Sequence, residues 1–253
     1  MAADEAILEA VGKGESLPTL RLCAWQPACI SLGYAQSFQD VDIARLKARG
    51  WEVVRRMTGG RAILHVDELT YSITAPNHEP RVLGSVLESY QRLAKALITA
   101  VQSLGLPVEM KENAPAENTA RGPVCFEVPS AYEIVIDGKK IIGSAQARKK
   151  EGVLQHGSFP LHGDLARITH VLTFPDEQTR LESGKKLLSR AITAKSATGR
   201  IIPWKTAAEA FIDAFQNELD LKLVKDDLTE AEKNRTSELV NNKYDHPDWT
   251  ERS

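Results

Sequence analysis

The chain has 253 residues, of which 42% are hydrophobic and 26% charged, and its formal net charge is −2. This composition is typical of a folded globular protein, and the near-neutral charge argues against nucleic-acid binding by bulk electrostatics. No apolar run is long enough to span a membrane, and no basic segment with an apolar core opens the chain, so neither membrane anchor nor signal peptide is predicted. Three cysteines without scaffold spacing favour free thiols and a cytoplasmic location.

The predicted secondary structure mixes short strands with irregularly spaced helices. Predicted helices share a helical apolar period, a capping residue or both, and they cover residues 2–11, 40–50, 85–105, 177–192 and most of 205–253. Predicted strands share β-branched or aromatic residues between turn signals, and they cover two stretches within 20–34, then 51–55, 69–74, 132–136, 140–147 and 153–161.

Local signals define the ends of several of these elements. Asp40 is predicted to cap the second helix, and Asp137-Gly138 favours a tight primed turn between two strands of a hairpin. Residue pairs with capping-box spacing precede three helical segments, namely Ser85 with Glu88, Thr206 with Glu209, and Thr229 with Glu232.

Strands dominate the first two-thirds of the chain, and they do not alternate regularly with helices. We therefore predict an α+β fold, with a mixed, largely antiparallel sheet flanked by helices and a helical C-terminal tail. The predicted domains are a main domain over residues 1–204 and a helical C-terminal segment over residues 205–253.

The segment RRMTGGRAILH, residues 55–65, combines a glycine turn with positive charge. Two glycines permit backbone conformations closed to other residues, and exposed N–H groups in such a turn can bind an anion or an oxyanion. We expect Arg55, Arg56 and Arg61 to surround this turn, with His65 just beyond it. An ordinary glycine turn with solvated surface arginines is the alternative interpretation, because short glycine motifs are weakly specific.

A cysteine and a lysine flank the first strand of the predicted hairpin. Cys125 lies in a loop with Gly and Pro nearby, and Lys140 begins the returning strand. A two-residue turn pairs Lys140 with Val135 and places its side chain on the sheet face of Glu133, a strand into which the Cys125 loop leads. An ammonium close to a thiol stabilises the thiolate, which is the form that attacks acyl groups. The residues alone leave a simpler interpretation open, with Cys125 as a packing residue and Lys140 as a solvated strand-edge lysine.

Two other groups of residues are expected to have no catalytic role. His156-Gly157-Ser158 lacks the surroundings of a serine nucleophile, so we expect a polar strand that lines a cleft. Cys23 and Cys29 match no common metal site, and we expect both to be packing residues. No metal site is predicted.

Taken together, these segments resemble the lipoate-protein ligase and octanoyltransferase superfamily over nearly the whole chain. The resemblance is carried by MAADEAILEA, RRMTGGRAILHVDELTYSI, DGKKIIGSAQARKKEGVLQHGS and NKYDHPDWTERS. It implies that residues 1–204 form a biotin/lipoate ligase-type catalytic domain. It also implies substrate binding by residues of the two central motifs, namely Arg56, Gly59, Gly60, Arg61, Ala62, His65, Gly143, Ser144 and Ala145.

Within the superfamily, the chain looks most like the Cys-dependent octanoyltransferases of Bacillus-like bacteria. ATP-using ligases tend to read GGGA where this chain reads GGRA at residues 59–62, and the cysteine-dependent branch has a Cys-Phe pair like that at 125–126. The resemblance implies that Cys125 carries the acyl group as a thioester and that Lys140 lowers the pKa of this thiol.

The implied reaction moves octanoate from octanoyl-acyl carrier protein to Cys125 and then to a lysine of a lipoyl domain. Glycine cleavage protein H is the expected acceptor, the expected protein is a monomer, and no cofactor is required. An ATP-dependent lipoate or octanoate ligase is the alternative, in which Lys140 contacts an acyl-adenylate, ATP and Mg²⁺ are needed, and Cys125 is incidental. A carrier-binding module without turnover is a further alternative.

Two features of substrate binding are also expected. An apolar slot for the octanoyl tail is predicted around Ile63, Leu64 and Tyr71. The basic run at residues 148–150 is expected to attract the acidic carrier protein.

Overall fold

Two β-sheets with surrounding helices make up the part of the chain that the computed structural model describes, residues 1–112 and 132–252. The strands are β1 Thr19–Cys23, β2 Cys29–Leu32, β3 Glu52–Arg55, β4 Ile63–His65, β5 Glu68–Ala75, β6 Glu109–Glu112, β7 Tyr132–Ile136, β8 Lys139–Arg148 and β9 Val153–Pro160. The α-helices are α1 Ala2–Lys13, α2 Ile43–Ala48, α3 Val86–Ser103, α4 Glu177–Arg190, α5 Ala194–Thr198, α6 Trp204–Leu219, α7 Glu230–Leu239 and α8 Pro247–Thr250.

The two sheets differ in size and in strand direction. The larger sheet has the order β1-β5-β9-β8-β7-β6, and each neighbouring pair in it is antiparallel. The smaller sheet has the order β3-β2-β4, in which β2 runs parallel to β3 and antiparallel to β4. The prediction of an α+β fold with a mixed, largely antiparallel sheet is therefore confirmed.

The hairpin of β7 and β8 forms as its turn sequence predicts. Asp137 has a φ of 49° and Gly138 a φ of 72°, and positive φ at both central residues is what a primed two-residue turn requires. Lys140 pairs with Val135 as expected, after which Ile141 is an extra residue that shifts the register of the ladder. Such a bulge increases the local twist of the strand that carries it.

Helices α3 and α6 share the main core with the larger sheet. The capping box predicted at the start of α3 forms, because Ser85 Oγ accepts from the Glu88 N–H at 3.2 Å and the Glu88 carboxylate accepts from the Ser85 N–H at 2.7 Å. Leu97 of α3 and Phe211 of α6 are fully buried in this core, and Phe211 stacks on Phe159 of β9 with ring centres 5.7 Å apart. Burying these large side chains stabilises the layer of helices on the sheet.

Two predicted helix starts are wrong. Asp40 ends a short 3₁₀ segment, and Val41 then forms a bridge to Leu172, so α2 begins only after Asp42, whose carboxylate accepts from the Arg45 N–H at 3.0 Å. Helix α6 begins two residues before the predicted capping residue, because Pro203 already accepts the first helical hydrogen bond, from Ala207, at 3.0 Å.

The predicted helical C-terminal segment is confirmed, and it packs against elements from the start of the chain. Helix α7 lies along α1, where Arg235 pairs with Glu9 at 2.7 Å. Lys243 follows α7 and pairs with Glu5 of α1, also at 2.7 Å. The domain boundary at residue 204 stays a prediction, since these contacts cross it. Among the described helices, none has the length and apolar character that crossing a membrane requires.

Candidate functional site

A cavity between the two sheets brings together six of the predicted site residues. The smaller sheet and its loop contribute Arg56, Gly60 and His65, and β8 contributes residues 143–145. Residues 156–158 of β9 line the same cavity, which confirms the prediction of a polar strand beside a cleft. Motifs far apart in the sequence meet here because β9 lies between β8 and β5 in the larger sheet.

The other predicted site residues that the structure describes do not line this cavity. Gly59 and Arg61 line an adjoining open groove, which shares Gly60 with the cavity. Ala62 is fully buried in the core beneath the smaller sheet. Lys140 lines neither space. Cys125 lies outside the described residues, so its predicted pairing with the lysine stays a prediction.

Arg56 holds the glycine loop from inside the protein. Its guanidinium donates to the carbonyl oxygens of Gly59 at 2.9 Å, Arg61 at 2.8 Å and Ser31 at 2.7 Å. Gly60 has a φ of 97°, a conformation that side chains other than glycine rarely adopt. The loop is therefore fixed by a buried cation and by its own backbone geometry.

Arg55 is also an interior residue, which contradicts the alternative interpretation of solvated surface arginines around the glycine turn. It is 0% exposed, and it donates to the carbonyl oxygens of Gly33 at 2.9 Å, Trp249 at 3.0 Å and Thr250 at 3.0 Å. A guanidinium has five N–H donors, so one arginine can satisfy several carbonyls that lie outside regular strands. Arg61 lies beside the glycine turn as expected, and it lines the groove.

His65 belongs to a buried hydrogen-bond network that the sequence patterns did not predict. Its Nε2 lies 2.7 Å from Ser31 Oγ, and its Nδ1 lies 2.6 Å from Glu68 Oε1. Glu68 also accepts from the hydroxyl groups of Thr70 and Ser158. The His-x-x-Glu spacing across the short bend between β4 and β5 is the signal that could have indicated the histidine–carboxylate contact.

A second network lies on the β8 side of the cavity. The hydroxyl groups of Tyr71 and Ser144 are 2.6 Å apart, and Gln155 Nε2 donates to the Tyr71 hydroxyl at 3.3 Å. Burial raises the pKa of Tyr71 to about 12, so its phenol stays neutral. Of the apolar slot predicted from three residues, Ile63 lines the cavity and Leu64 lines a neighbouring pocket that shares Ile63 with it, whereas Tyr71 is wholly buried in the core.

Lys140 is a buried lysine in an ion pair. Its Nζ lies 2.9 Å from Glu133 Oε1, and 7% of its side chain is exposed. The predicted common face of Lys140 and Glu133 is therefore confirmed, and the alternative of a solvated strand-edge lysine is wrong. A buried ammonium is costly without a nearby anion, and the carboxylate across the hairpin supplies one.

His156 is the second histidine of the cavity, and its surroundings make it neutral. Burial lowers the pKa of His156 to about 3, although the nearby Asp4 carboxylate opposes this shift. Its Nε2 lies 2.6 Å from Thr58 Oγ1. The His156 ring therefore stays uncharged at neutral pH. Its contact with the Thr58 hydroxyl positions the loop that carries Thr58.

The cysteines within the described residues have the properties of packing residues. Burial raises the pKa of the Cys23 thiol and raises that of Cys29 to about 12, so neither is a reactive thiolate. Across residues 1–112 and 132–252, no group of three or more His, Cys, Asp or Glu side chains could hold a metal ion.

Comparison with solved structures places the architecture among lipoate ligases. A bipartite lipoate protein ligase from Thermoplasma acidophilum matches with a TM-score of 0.78 and 23% identity, over 98% of this chain and 91% of that chain. Lipoate-protein ligase A bound with ATP matches with a TM-score of 0.78 and 24% identity, over 99% of this chain and 92% of that chain. At this level of identity the two matches confirm the predicted lipoate-ligase fold.

Comparison with the sequences of known proteins identifies the family, whereas the solved structures identify only the fold. Curated relatives named octanoyltransferase LipM are 41% identical in Moorella thermoacetica, 37% in Brevibacillus brevis and 35% in Staphylococcus aureus. The alignments cover 100%, 98% and 98% of this chain, and 93%, 92% and 92% of the respective relatives. A family model described as lipoyl protein ligase A/B catalytic domain matches residues 1–216. The chain therefore belongs to the lipoyl protein ligase A/B catalytic domain family.

Proposed function

We propose that this protein is an octanoyltransferase of lipoate biosynthesis, which moves an octanoyl group from a carrier thioester to a lysine of a lipoyl domain. The observation that carries the proposal is the nearly complete alignment with octanoyltransferases LipM at 35% to 41% identity. The cavity between the sheets, where the two motifs of the predicted site meet, supports it. We further propose cytoplasmic action by a monomer, with the free thiols Cys23 and Cys29 in agreement.

The first step is proposed to be capture of the acyl group by Cys125. The Cys125 thiolate attacks the thioester carbonyl of the donor, and the donor thiolate leaves. The Lys140 ammonium is proposed to favour the thiolate form of the cysteine. Lys140 is buried beside Glu133 of β7 and lies in β8, the strand that also supplies residues 143–145 of the cavity, and both facts support this role.

The second step is proposed to be aminolysis of the octanoyl-enzyme. The lysine amine of the lipoyl domain attacks the thioester carbonyl, an amide forms, and the Cys125 thiolate leaves. Backbone N–H groups near Gly59 and Gly60, together with the Lys140 ammonium, are the proposed stabilisers of the oxyanion. A thioester exchange is close to isoenergetic and amide formation from a thioester is downhill, so this sequence requires no ATP.

The open groove is proposed to receive the arm that connects the octanoyl group to its carrier protein. Arg61 and Lys149 line this groove, and among the described residues that line it none is a carboxylate. The groove shares Gly60 with the cavity, so an arm within it could deliver an acyl group inward. Arg148 also lines this groove, where its guanidinium donates to the Val82 carbonyl at 2.7 Å and to Ser89 Oγ at 2.9 Å.

The test is acyl capture without ATP. The protein is incubated with octanoyl-acyl carrier protein, and its intact mass is measured before and after treatment with neutral hydroxylamine. The expected result is one octanoyl group that hydroxylamine removes, that Cys125→Ala abolishes, and that the matched control Cys23→Ala retains. Adding glycine cleavage protein H or another lipoyl domain should then discharge the group onto the acceptor lysine.

The opposite outcome would identify an ATP-dependent ligase. That enzyme would acylate the lipoyl domain from free octanoate or lipoate only when ATP and Mg²⁺ are present, and Cys125→Ala would remain fully active. Binding of lipoyl domains without any modification of their lysine would instead indicate a binding module.

A further inference from the structure

A hydrogen-bond chain of four residues runs along one wall of the cavity. Arg56 Nη1 donates to Ser31 Oγ at 3.1 Å, and Ser31 Oγ lies 2.7 Å from His65 Nε2. His65 Nδ1 then lies 2.6 Å from Glu68 Oε1. Ser31, His65 and Arg56 all line the cavity. The proposed roles of Cys125 and Lys140 do not use this chain.

The contacts within this hydrogen-bond chain define which of its atoms carry the protons. A carboxylate only accepts, so the His65 proton is on Nδ1 and points to Glu68, which leaves Nε2 as an acceptor for the Ser31 hydroxyl. Glu68 is fixed by two further donors, Thr70 and Ser158. The indole of Trp25 stacks on the His65 ring with centres 4.3 Å apart and planes 14° apart. The ring is therefore held in one orientation and one tautomer.

The two proposed steps differ in their need for a proton acceptor. Exchange of one thiolate for another releases no proton. Aminolysis does, because the attacking lysine must lose a proton from nitrogen before the amide is complete. A neutral imidazole backed by a carboxylate meets a requirement that only the second step has.

We propose that Ser31 and His65 form a proton relay for attack by the acceptor lysine, with Glu68 as a positioning residue. The inference rests on the proposed function. As the nitrogen–carbon bond forms and the carbon–sulfur bond breaks, the amine proton passes to Ser31 Oγ while the Ser31 proton passes to His65 Nε2. Cys125 leaves as the thiolate, and the imidazolium then releases one proton to solvent, which restores the enzyme.

The position of Arg56 fits this relay. Its guanidinium contacts the oxygen that becomes electron-rich while the hydroxyl proton is in transit, and a nearby cation stabilises such an oxygen. The groups that face His65 and can influence its protonation are the Glu68 carboxylate, the Arg56 guanidinium, the His156 ring and the Met1 amino group.

The experiment measures the two steps separately. Ser31→Ala and His65→Gln are loaded with octanoyl-acyl carrier protein, and transfer to a lipoyl domain is then followed in single turnovers between pH 6 and pH 10. Capture is expected to stay within about twofold of the unchanged protein, whereas transfer falls by roughly 10²–10³-fold at pH 7. The defect should shrink as pH rises, because hydroxide then removes the amine proton that the relay otherwise accepts.

His162→Gln is the matched control, because this histidine also lies beside a carboxylate, Asp67 at 3.8 Å, but outside the cavity. It should transfer at the unchanged rate. Neutral hydroxylamine, a small amine that is largely unprotonated at pH 7, should discharge the octanoyl-enzyme equally in all variants, which shows an intact acyl site.

Three results would overturn the relay: transfer by both variants at the unchanged rate, an equal loss of capture and transfer, or a transfer defect that is the same at every pH. If the unchanged protein does not capture octanoate at all, the proposed function fails instead.

Discussion

Gly33→Ala should displace the glycine loop of the site. A Cβ atom at this position would lie 1.9 Å from the Gly60 carbonyl oxygen, and real Cβ atoms essentially never approach a neighbour closer than 3.0 Å. The two backbone segments must therefore separate by at least about 1.1 Å. The loop cannot move freely, because Arg56 holds the carbonyls of Gly59 and Arg61 from inside the protein.

The expected effect is larger on activity than on folding. Overpacking of this kind costs about 1–3 kcal/mol of the free energy of unfolding. A displacement of about 1 Å in a site can lower the rate by roughly 10²-fold. We expect kcat/KM for octanoyl transfer to fall by that factor, measured by mass analysis of the lipoyl domain, together with a modest decrease in melting temperature.

Gly184→Ala is the matched control. A Cβ there would lie 3.6 Å from Ala166 Cβ, an ordinary contact, and the residue is inside helix α4. Activity should be unchanged, and alanine in a helix should add up to about 1 kcal/mol of stability. Full activity of Gly33→Ala would show that the close approach to Gly60 does not position the site.

Three further predictions concern stability, and chemical denaturation measures each of them. Lys140→Met should cost about 3 kcal/mol, because the Glu133 carboxylate loses its 2.9 Å ion pair, and adding Glu133→Gln should recover part of that loss. Gly138→Ala should cost about 1–2 kcal/mol from its φ of 72° alone, since no atom would meet the new Cβ within 4 Å; an unchanged midpoint would contradict this. His156 binds a proton less readily in the folded chain, where its pKa is about 3, than in the unfolded chain at 6.5. Stability should therefore fall by up to about 1.4 kcal/mol per unit as pH decreases between these values, and His156→Gln should lessen that slope.

The predictions that succeeded depend on interactions between residues close in the chain. Ser85 and Glu88 are three residues apart and form their capping box in the structure. Asp137-Gly138 forms the predicted turn, and its register alone places Lys140 opposite Val135. Asp40 failed as a cap because a distant residue, Leu172, pairs with Val41 and delays the start of the helix.

Side-chain burial is the property of the site that the sequence predicted least well. One interpretation of the sequence put Arg55 and Arg56 on the surface. The structure places both inside, where each donates to several backbone carbonyls. The composition of a short segment does not show how many unpaired carbonyls the rest of the chain will bring to it. Ser31 gave no signal, because it reaches His65 through strand pairing, and Ser158 was predicted to line a cleft but not to contact Glu68.

The sequence by itself determined the helices, the hairpin, the α+β class and the family, because these follow from short-range hydrogen bonding, apolar periodicity and extended motif similarity. Tertiary structure alone decided that Ser31 and Ser158 meet the His65–Glu68 pair beside one cavity. The order β5-β9-β8 and the packing of the smaller sheet against it set those distances. Such contacts depend on the free energy of the whole fold, and no local pattern encodes them.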